Sequence, residues 1–302
     1  MSLLVFGTVA LDNLKTPSGA RKDLLGGSAV HFCMSSRFFN DIHLAGVVGK
    51  DFPEKHVRML KSKGVNTDSL LAVDGKTFRW DGEYKKEDMN QAVTHGTELG
   101  VLVEHAAEVS PAQSRMRNVF LANIGPDMQG HFLRQLKNPQ FVGLDSMNLW
   151  INIMRPQLLK IIKKVNMFVL NDAEARSLTG EQNLIKAAKA LRKKGPQLVV
   201  IKKGEHGVLF YSDKYSFAFP AYPVEKVVDP TGAGDTFAGG LMGYLSKVNK
   251  VNEKNLKKAV IYATTLASFN VEGFGMARTS ALNMGDVNSR MKQLVNYISP
   301  KL

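Results

Sequence analysis

Short apolar runs separated by stretches of helical periodicity recur along this chain, and that alternation leaves few folds open to it. Residues 3–7 read as a buried strand and residues 29–39 as a helix that follows a Gly-Gly turn. Residues 42–48 form another apolar run, and a helix is predicted over about 54–63. Farther on the rhythm becomes regular: 119–122, 141–144, 167–170 and 198–201 are predicted strands with helical segments between them. Short apolar strands joined by helices of about 10–15 residues build right-handed βαβ units, whose parallel sheet is buried on both faces. Residues 207–211 and 215–219 read as a hairpin, and the chain from Asp235 onward is mostly helical. Two polar stretches, 13–25 and about 69–102, break the rhythm and carry strand-like pieces such as 77–84. Long insertions in a doubly wound domain commonly serve as lids. The expected fold is α/β: a Rossmann-like, mostly parallel central sheet flanked by helices. It forms one domain over 1–302, with a small β-rich lid built from those two stretches.

Composition narrows the function. Forty Lys and Arg against 27 Asp and Glu give a formal charge of +13. The basic residues are scattered as pairs such as Lys163-Lys164 and Lys257-Lys258, with no long block and no aromatic-interleaved stripe. That pattern suits small anions, a phosphorylated molecule among them, and predicts no nucleic-acid partner. Cys33 is the single cysteine, which excludes a disulfide framework and a Cys-rich zinc module and fits a reducing compartment. No run reaches the roughly 18 consecutive apolar residues of a membrane span. The first residues, MSLLVFGTVALD, lack a basic n-region and turn polar too soon for a signal peptide. A cytoplasmic protein without a membrane partner is expected.

The most informative segment is VDPTGAGDTFAGG, Val228 to Gly240. Asp229 and Pro230 end a strand, since proline cannot continue a ladder and biases its predecessor toward extended geometry. Gly232, Ala233 and Gly234 then offer three amide donors with little side-chain bulk, and a helix follows at once. A Gly-rich turn opening on a helix N-terminus is an anion site, because free N–H groups and the positive dipole end converge there. Asp235, in the first turn, is placed to accept a proton from a substrate hydroxyl beside the bound anion. That pairing suits phosphoryl transfer. Other phosphate and nucleophile motifs are missing. Gly75-Lys76-Thr77 has Leu70 where a P-loop needs its first glycine, and Gly7 stands alone after the first strand, without G-x-G-x-x-G. No G-x-S-x-G elbow occurs, and none of the seven histidines forms H-E-x-x-H.

VDPTGAGDTFAGG resembles the C-terminal signature of the ribokinase-like (PfkB-type) carbohydrate and nucleoside kinases, and the resemblance extends across the chain. Gly7 through Asp12 resembles their first strand, which ends on a substrate-binding aspartate. Gly26-Gly27-Ser28-Ala29-Val30-His31 resembles the N-terminal Gly-Gly signature, Asn171-Asp172-Ala173-Glu174 matches N-x-x-E, and Lys202 to Gly207 resembles the nucleotide-side loop. The resemblance implies ATP-dependent phosphorylation of a hydroxymethyl group on a sugar or nucleoside, with Asp235 as base and Gly232, Ala233 and Gly234 as anion hole. It implies that Asp12, Gly26, Gly27, Ser28, His31, Asn123 and Asp145 serve the acceptor; the inserted lid stretch adds Arg79 as a candidate of its own. Asn171, Lys202, Gly204, Gly207 and Thr264 then serve the nucleotide, and Glu174 serves magnesium through water. ATP and Mg2+ are the implied cofactors; a monovalent cation and a homodimer through the lid also fit the family.

Departures from the pattern concern mainly the acceptor. Ala10 stands where ribokinases carry an asparagine, His31 replaces the asparagine after the Gly-Gly signature, and Asn123 falls where a glutamate is expected. On the nucleotide side, Lys202 stands where ribokinases have threonine and Thr264 where they have asparagine. No arginine follows Asp145-Ser146-Met147-Asn148. An aromatic and an arginine in the lid, Trp80 and Arg79, lean the reading toward a base-bearing acceptor over free ribose. The alternative is a catalytically weak relative that binds a sugar or nucleotide as a sensor, which would not require a base such as Asp235.

Overall fold

In the computed structural model, which describes residues 1–299, the chain crosses between two sheets several times before settling into a long α/β succession. Strand β1 (Ser2–Phe6) leads to a hairpin of β2 (Ala10–Thr16) and β3 (Gly19–Gly26), then helix α1 (Ser28–Ser36). There follow β4 (Asp41–Gly49), α2 (Glu54–Ser62), β5 (Val65–Val73), and a second hairpin, β6 (Arg79–Lys85) and β7 (Asp88–Glu98). The regular part runs β8 (Asn118–Leu121), α3 (Pro126–Arg134), β9 (Phe141–Leu144), α4 (Asn148–Ile153), α5 (Arg155–Ile162), β10 (Met167–Asn171), α6 (Asp172–Thr179), α7 (Leu184–Arg192) and β11 (Leu198–Lys202). Strands β12 (Val208–Tyr211) and β13 (Ser216–Phe219) close the sheet, and α8 (Ala233–Val248), α9 (Glu253–Asn270), α10 (Ala277–Ala281) and α11 (Met284–Ile298) complete the chain.

The main sheet has nine strands in the order β13-β12-β11-β10-β9-β8-β1-β4-β5. All pairs are parallel except those of β11 with β12 and β12 with β13. Its central strands read as unbroken apolar runs because both faces are covered. Leu3 and Val5 of β1, with Phe120, Val169 and Val200, face α1, α8 and α9. Leu4 and Phe6, with Val119, Phe168 and Val199, face α3, α5, α6 and α7. One stacked aromatic pair marks each layer, Phe32 on Phe120 at 4.4 Å and Phe6 on Phe132 at 4.3 Å.

The smaller sheet runs β3-β2-β6-β7, with β2 and β6 parallel and the outer pairs antiparallel. It draws on 10–26 and 79–98, so its bounds differ from those read in the sequence. Residues 69–73, expected in the insertion, complete β5 at the edge of the main sheet, paired with β4. Strand β2 begins at Ala10, and Asp12 therefore belongs to the smaller sheet and not to the end of β1. The crossing is made at residues 7–9. There Gly7 is required by crowding: a Cβ would fall 2.7 Å from Ala122 Cβ and 2.8 Å from Ser28 Oγ.

Candidate active site

The turn before α8 is pinned from beneath. Asp229 is fully buried, and its carboxylate accepts from the amides of Thr231 and Gly275, both at 2.9 Å. Gly232 then caps α8 at φ 72°, a left-handed geometry that favours glycine. Ala233, expected in the anion hole, donates its N–H to Pro230 O at 3.1 Å. That leaves the amides of Gly232 and Gly234 without a backbone partner among the described residues, at the positive end of a sixteen-residue helix. Asp235 keeps part of its surface open to this crevice, but most of its surroundings are protein. Burial first, then the Asp145 carboxylate, pushes its pKa up to about 7, against the pull of Lys202.

The C-terminal ends of three neighbouring strands form the opposite wall. Asp145 follows β9, Asn171 ends β10 and Lys202 ends β11, with Asn171 and Lys202 in register. Lys202 Nζ lies 2.9 Å from Asp145 Oδ2, and both side chains are largely buried. Asp145, expected beside the acceptor, is paired with Lys202 through Oδ2. Asn171 and Glu174 form a reciprocal cap on α6: the Asn171 amide donates to Glu174 Oε2 at 2.7 Å, and the Glu174 amide donates to Asn171 Oδ1 at 2.8 Å. Burial pushes Glu174 up to about 7, with Lys202 opposing and Asp145 assisting.

Across the crevice, Asp12 of β2 is buried. A Cβ at Gly26 would overlap its carboxylate, which explains the glycine at that point of β3. Gly27, at φ 97°, crosses just above Thr8 O, and its backbone amide favours the charged form of Asp12. Burial, then the charges of Asp229 and Asp235, pushes Asp12 up to about 8 in spite of that amide. Asp12 of the smaller sheet and Asp235 at the start of α8 therefore act on the same crevice. The His31 ring lies flat against Gly232, where a Cβ would overlap it. Asn270 donates to Thr231 O at 2.7 Å, so its Oδ1 accepts from His31 Nδ1 and from Thr236 Oγ1, each at 3.1 Å. This fixes the Nδ1–H tautomer and leaves Nε2 a buried acceptor without a partner among the described residues. Burial lowers the His31 pKa to about 4, so the ring is neutral.

Other expected site residues are placed differently. The Ser28 hydroxyl donates to Asn123 O at 2.8 Å and accepts from the Thr8 amide at 3.2 Å, bracing the crossover. The Asn123 side chain accepts from Trp150 Nε1 at 2.9 Å and donates to Met147 Sδ at 3.1 Å. Arg79 is a correction. On β6 it pairs with Leu11, whereas Trp80 pairs with Asp12, so Arg79 points to the face opposite the crevice. Its guanidinium is held there by Asp23 and, at 3.6 Å, by Asp51. Trp80 lies on the Asp12 face, its ring covering Gly82. Tyr84, two places beyond Gly82 on that face, was not singled out in the sequence. It is buried, its Oη is 3.5 Å from Thr231 Oγ1, and burial raises its pKa, with Asp229, Asp12 and Asp235 adding to the rise. The period of two from Trp80 was the available signal.

Gly204 and Gly207, expected to serve the nucleotide, have φ of 55° and 87° and shape the loop after β11, where the Lys203 amide donates to Gly207 O at 2.8 Å. Asn90 of β7 reaches this loop and donates to Glu205 Oε2 at 2.5 Å. Thr264 is buried on α9, in the stretch where Ala263 packs on Gly240 of α8, farther along that helix than Asp235. Among the described residues no group of three His, Cys, Asp or Glu side chains is placed to hold a metal ion. Glu174 Oε1 carries no hydrogen bond among them, however. The residues fit magnesium that arrives with its waters and a nucleotide's phosphates and meets Glu174 in its outer shell.

These raised carboxyls make stability fall with rising pH. Asp12, Asp235 and Glu174 hold protons in the folded protein that the unfolded chain releases above about pH 4. Their contribution is therefore most favourable at the acidic end and is lost as pH rises through about 7 to 8. Asp12→Asn removes one such group. Thermal melts should give the variant a higher Tm than the wild type at about pH 8.5, with the two converging toward pH 4. A wild-type advantage at pH 8.5 would contradict the burial of Asp12.

The family model of the pfkB family carbohydrate kinases matches residues 8–281 of the chain. A cytidine kinase of Thermococcus kodakarensis is 31% identical over 259 residues, covering 84% of this chain and 91% of that protein. A nucleoside kinase of Methanothermobacter thermautotrophicus is 27% identical over 294 residues, 95% of this chain and 91% of that one. Among solved structures, the nucleoside kinase of Burkholderia thailandensis in complex with inosine superposes with a TM-score of 0.78 at 19% identity, over 98% of this chain and 99% of that one. The nucleoside kinase of Methanocaldococcus jannaschii, an archaeal member of the ribokinase family, gives 0.75 at 21%, over 97% and 98%. The two superpositions show the ribokinase-family fold.

Proposed function

Because the chain belongs to the pfkB family of carbohydrate kinases, enzymes that transfer phosphate to an alcohol group, we propose that its acceptor is a nucleoside and its donor ATP. The observation that carries this reading is the carboxyl pair of Asp12, buried on the smaller sheet, and Asp235, half-buried at the start of α8, which feel each other's charge beside the open amides of Gly232 and Gly234. Asp12 binds the ribose diol. A carboxyl in that setting accepts hydroxyl donors that no water replaces. Trp80, on the same face of the smaller sheet, stacks on the base, and Tyr84 closes the crevice over the sugar. The relatives named as cytidine and nucleoside kinases support a base-bearing acceptor.

In the reaction the ribose hydroxymethyl oxygen attacks the γ-phosphorus of ATP. Asp235 takes the hydroxyl proton as the oxygen–phosphorus bond forms and the bridging bond to ADP breaks, ADP leaving with the electron pair. The Gly232 and Gly234 amides hold the charge spreading over the phosphoryl oxygens. Magnesium, when bound, neutralises the phosphates; Glu174 orients its water shell. A base with a pKa of about 7 is half-ready at neutral pH, so kcat/KM should rise through a limb near pH 7.

The acceptor class is tested by two ratios of kcat/KM, cytidine over ribose, for the wild type and Trp80→Ala. Stacking on an aromatic face contributes about 1–3 kcal/mol per base, so the ratio should fall about 5- to 150-fold in the variant. An unchanged ratio would mean that Trp80 only packs the smaller sheet.

A further inference from the structure

We propose that Lys202 is a catalytic cation of this site, its ammonium binding the γ-phosphoryl group of ATP, and that Asp145 is the positioning residue that holds it against the anion hole. The inference rests on the kinase reading above and deepens it. Lys202 Nζ sits 2.9 Å from Asp145 Oδ2, and a Cβ at Gly234 would fall 2.8 Å from the same nitrogen. The ammonium is thus already against Gly234, beside the turn proposed to hold the transferred phosphate. Among the described residues it is the one cation that acts on Asp145, Glu174 and Asp235, three buried carboxyls around a single positive charge. Burial pulls against the charge, but those three carboxylates outweigh it and keep the ammonium protonated.

A structural role explains this arrangement less well. A buried ion pair adds little stability over an apolar pair, and Lys202 is the last residue of β11, where the strand leaves the sheet for the crevice. A compact ammonium on a flexible stem is suited to a moving charge. As the acceptor oxygen bonds to phosphorus, the bridging bond to ADP breaks and ADP departs with the electron pair; the proton goes to Asp235. Lys202 follows the equatorial oxygens through that change, and Asp145 returns it afterwards.

The test separates the γ-phosphate from the rest of the nucleotide. Calorimetry with magnesium and no acceptor should show Lys202→Met binding ATP about 10- to 100-fold more weakly than the wild type, with ADP affinity within about threefold. Its kcat should fall about 10²–10³-fold with the acceptor KM unchanged, and Lys202→Arg should recover most of the ATP affinity. Should the Met variant fail to fold, Lys202→Gln carries the same expectation. Equal weakening of ATP and ADP, or wild-type ATP binding and turnover, would overturn the assignment. A wild type that phosphorylates no acceptor would instead overturn the kinase reading beneath it.

Discussion

Asp235→Asn is expected to fold normally and to lose about 10²–10⁴-fold in kcat, the usual contribution of a positioned base. Volume and first-turn position are kept; only the proton acceptor goes. The change also removes a charge that Asp145 repels, so the variant's Tm above pH 7 should equal or exceed that of the wild type. Loss of turnover with gain of stability is the pattern of a group retained for chemistry, and a damaged fold cannot produce it. The limb of kcat/KM near pH 7 should disappear as well. Turnover within threefold of wild type would remove Asp235 from the mechanism.

Gly232→Ala is the second large effect, and its cause is steric. At φ 72° a non-glycine residue costs about 1–2 kcal/mol, and the added Cβ falls within the His31 ring, which costs a further ~1–3 kcal/mol. His31 has little room to yield, since Asn270 ties it to Thr231 and Thr236 on the same turn. The turn must shift, and the amides proposed to hold the phosphate shift with it. Tm should drop by roughly 4–20 °C at ~2–4 °C per kcal/mol for a domain of this size class. Turnover should fall about 10²–10³-fold, as when an oxyanion donor is lost. His31→Ala in the same chain should restore part of the Tm, because the overlap is removed while the backbone strain stays. Additive losses in the double variant would show that the two residues do not press on each other.

What the sequence made legible follows from where water is. Strands β1, β8, β9, β10 and β11 are buried on both faces and stand out as apolar runs. Strand β5 lies at an edge and mixes Asn66, Thr67, Asp68 and Ser69 with apolar residues, so half of it reads as insertion. Strand β7 is exposed along nearly its whole length and carries no alternation at all. The glycine-rich turn before α8 was readable because glycine spacing and a helix start are local. The pairing on the opposite wall was not: Asp145 and Lys202, each singled out, are 57 residues apart and meet only because β9, β10 and β11 are neighbours with their ends aligned. Arg79 and Trp80 are adjacent in sequence, and only the register with Asp12 separates the residue that faces the crevice from the one that faces away.

The central claim is tested most directly by following the γ-phosphate itself. With γ-labelled ATP, magnesium and cytidine, the label should appear in a nucleoside monophosphate at a rate that falls about 10²–10⁴-fold in Asp235→Asn. Ribose at the same concentration should be labelled more slowly. Label recovered only as inorganic phosphate, or in ribose in preference to every nucleoside offered, would contradict the account.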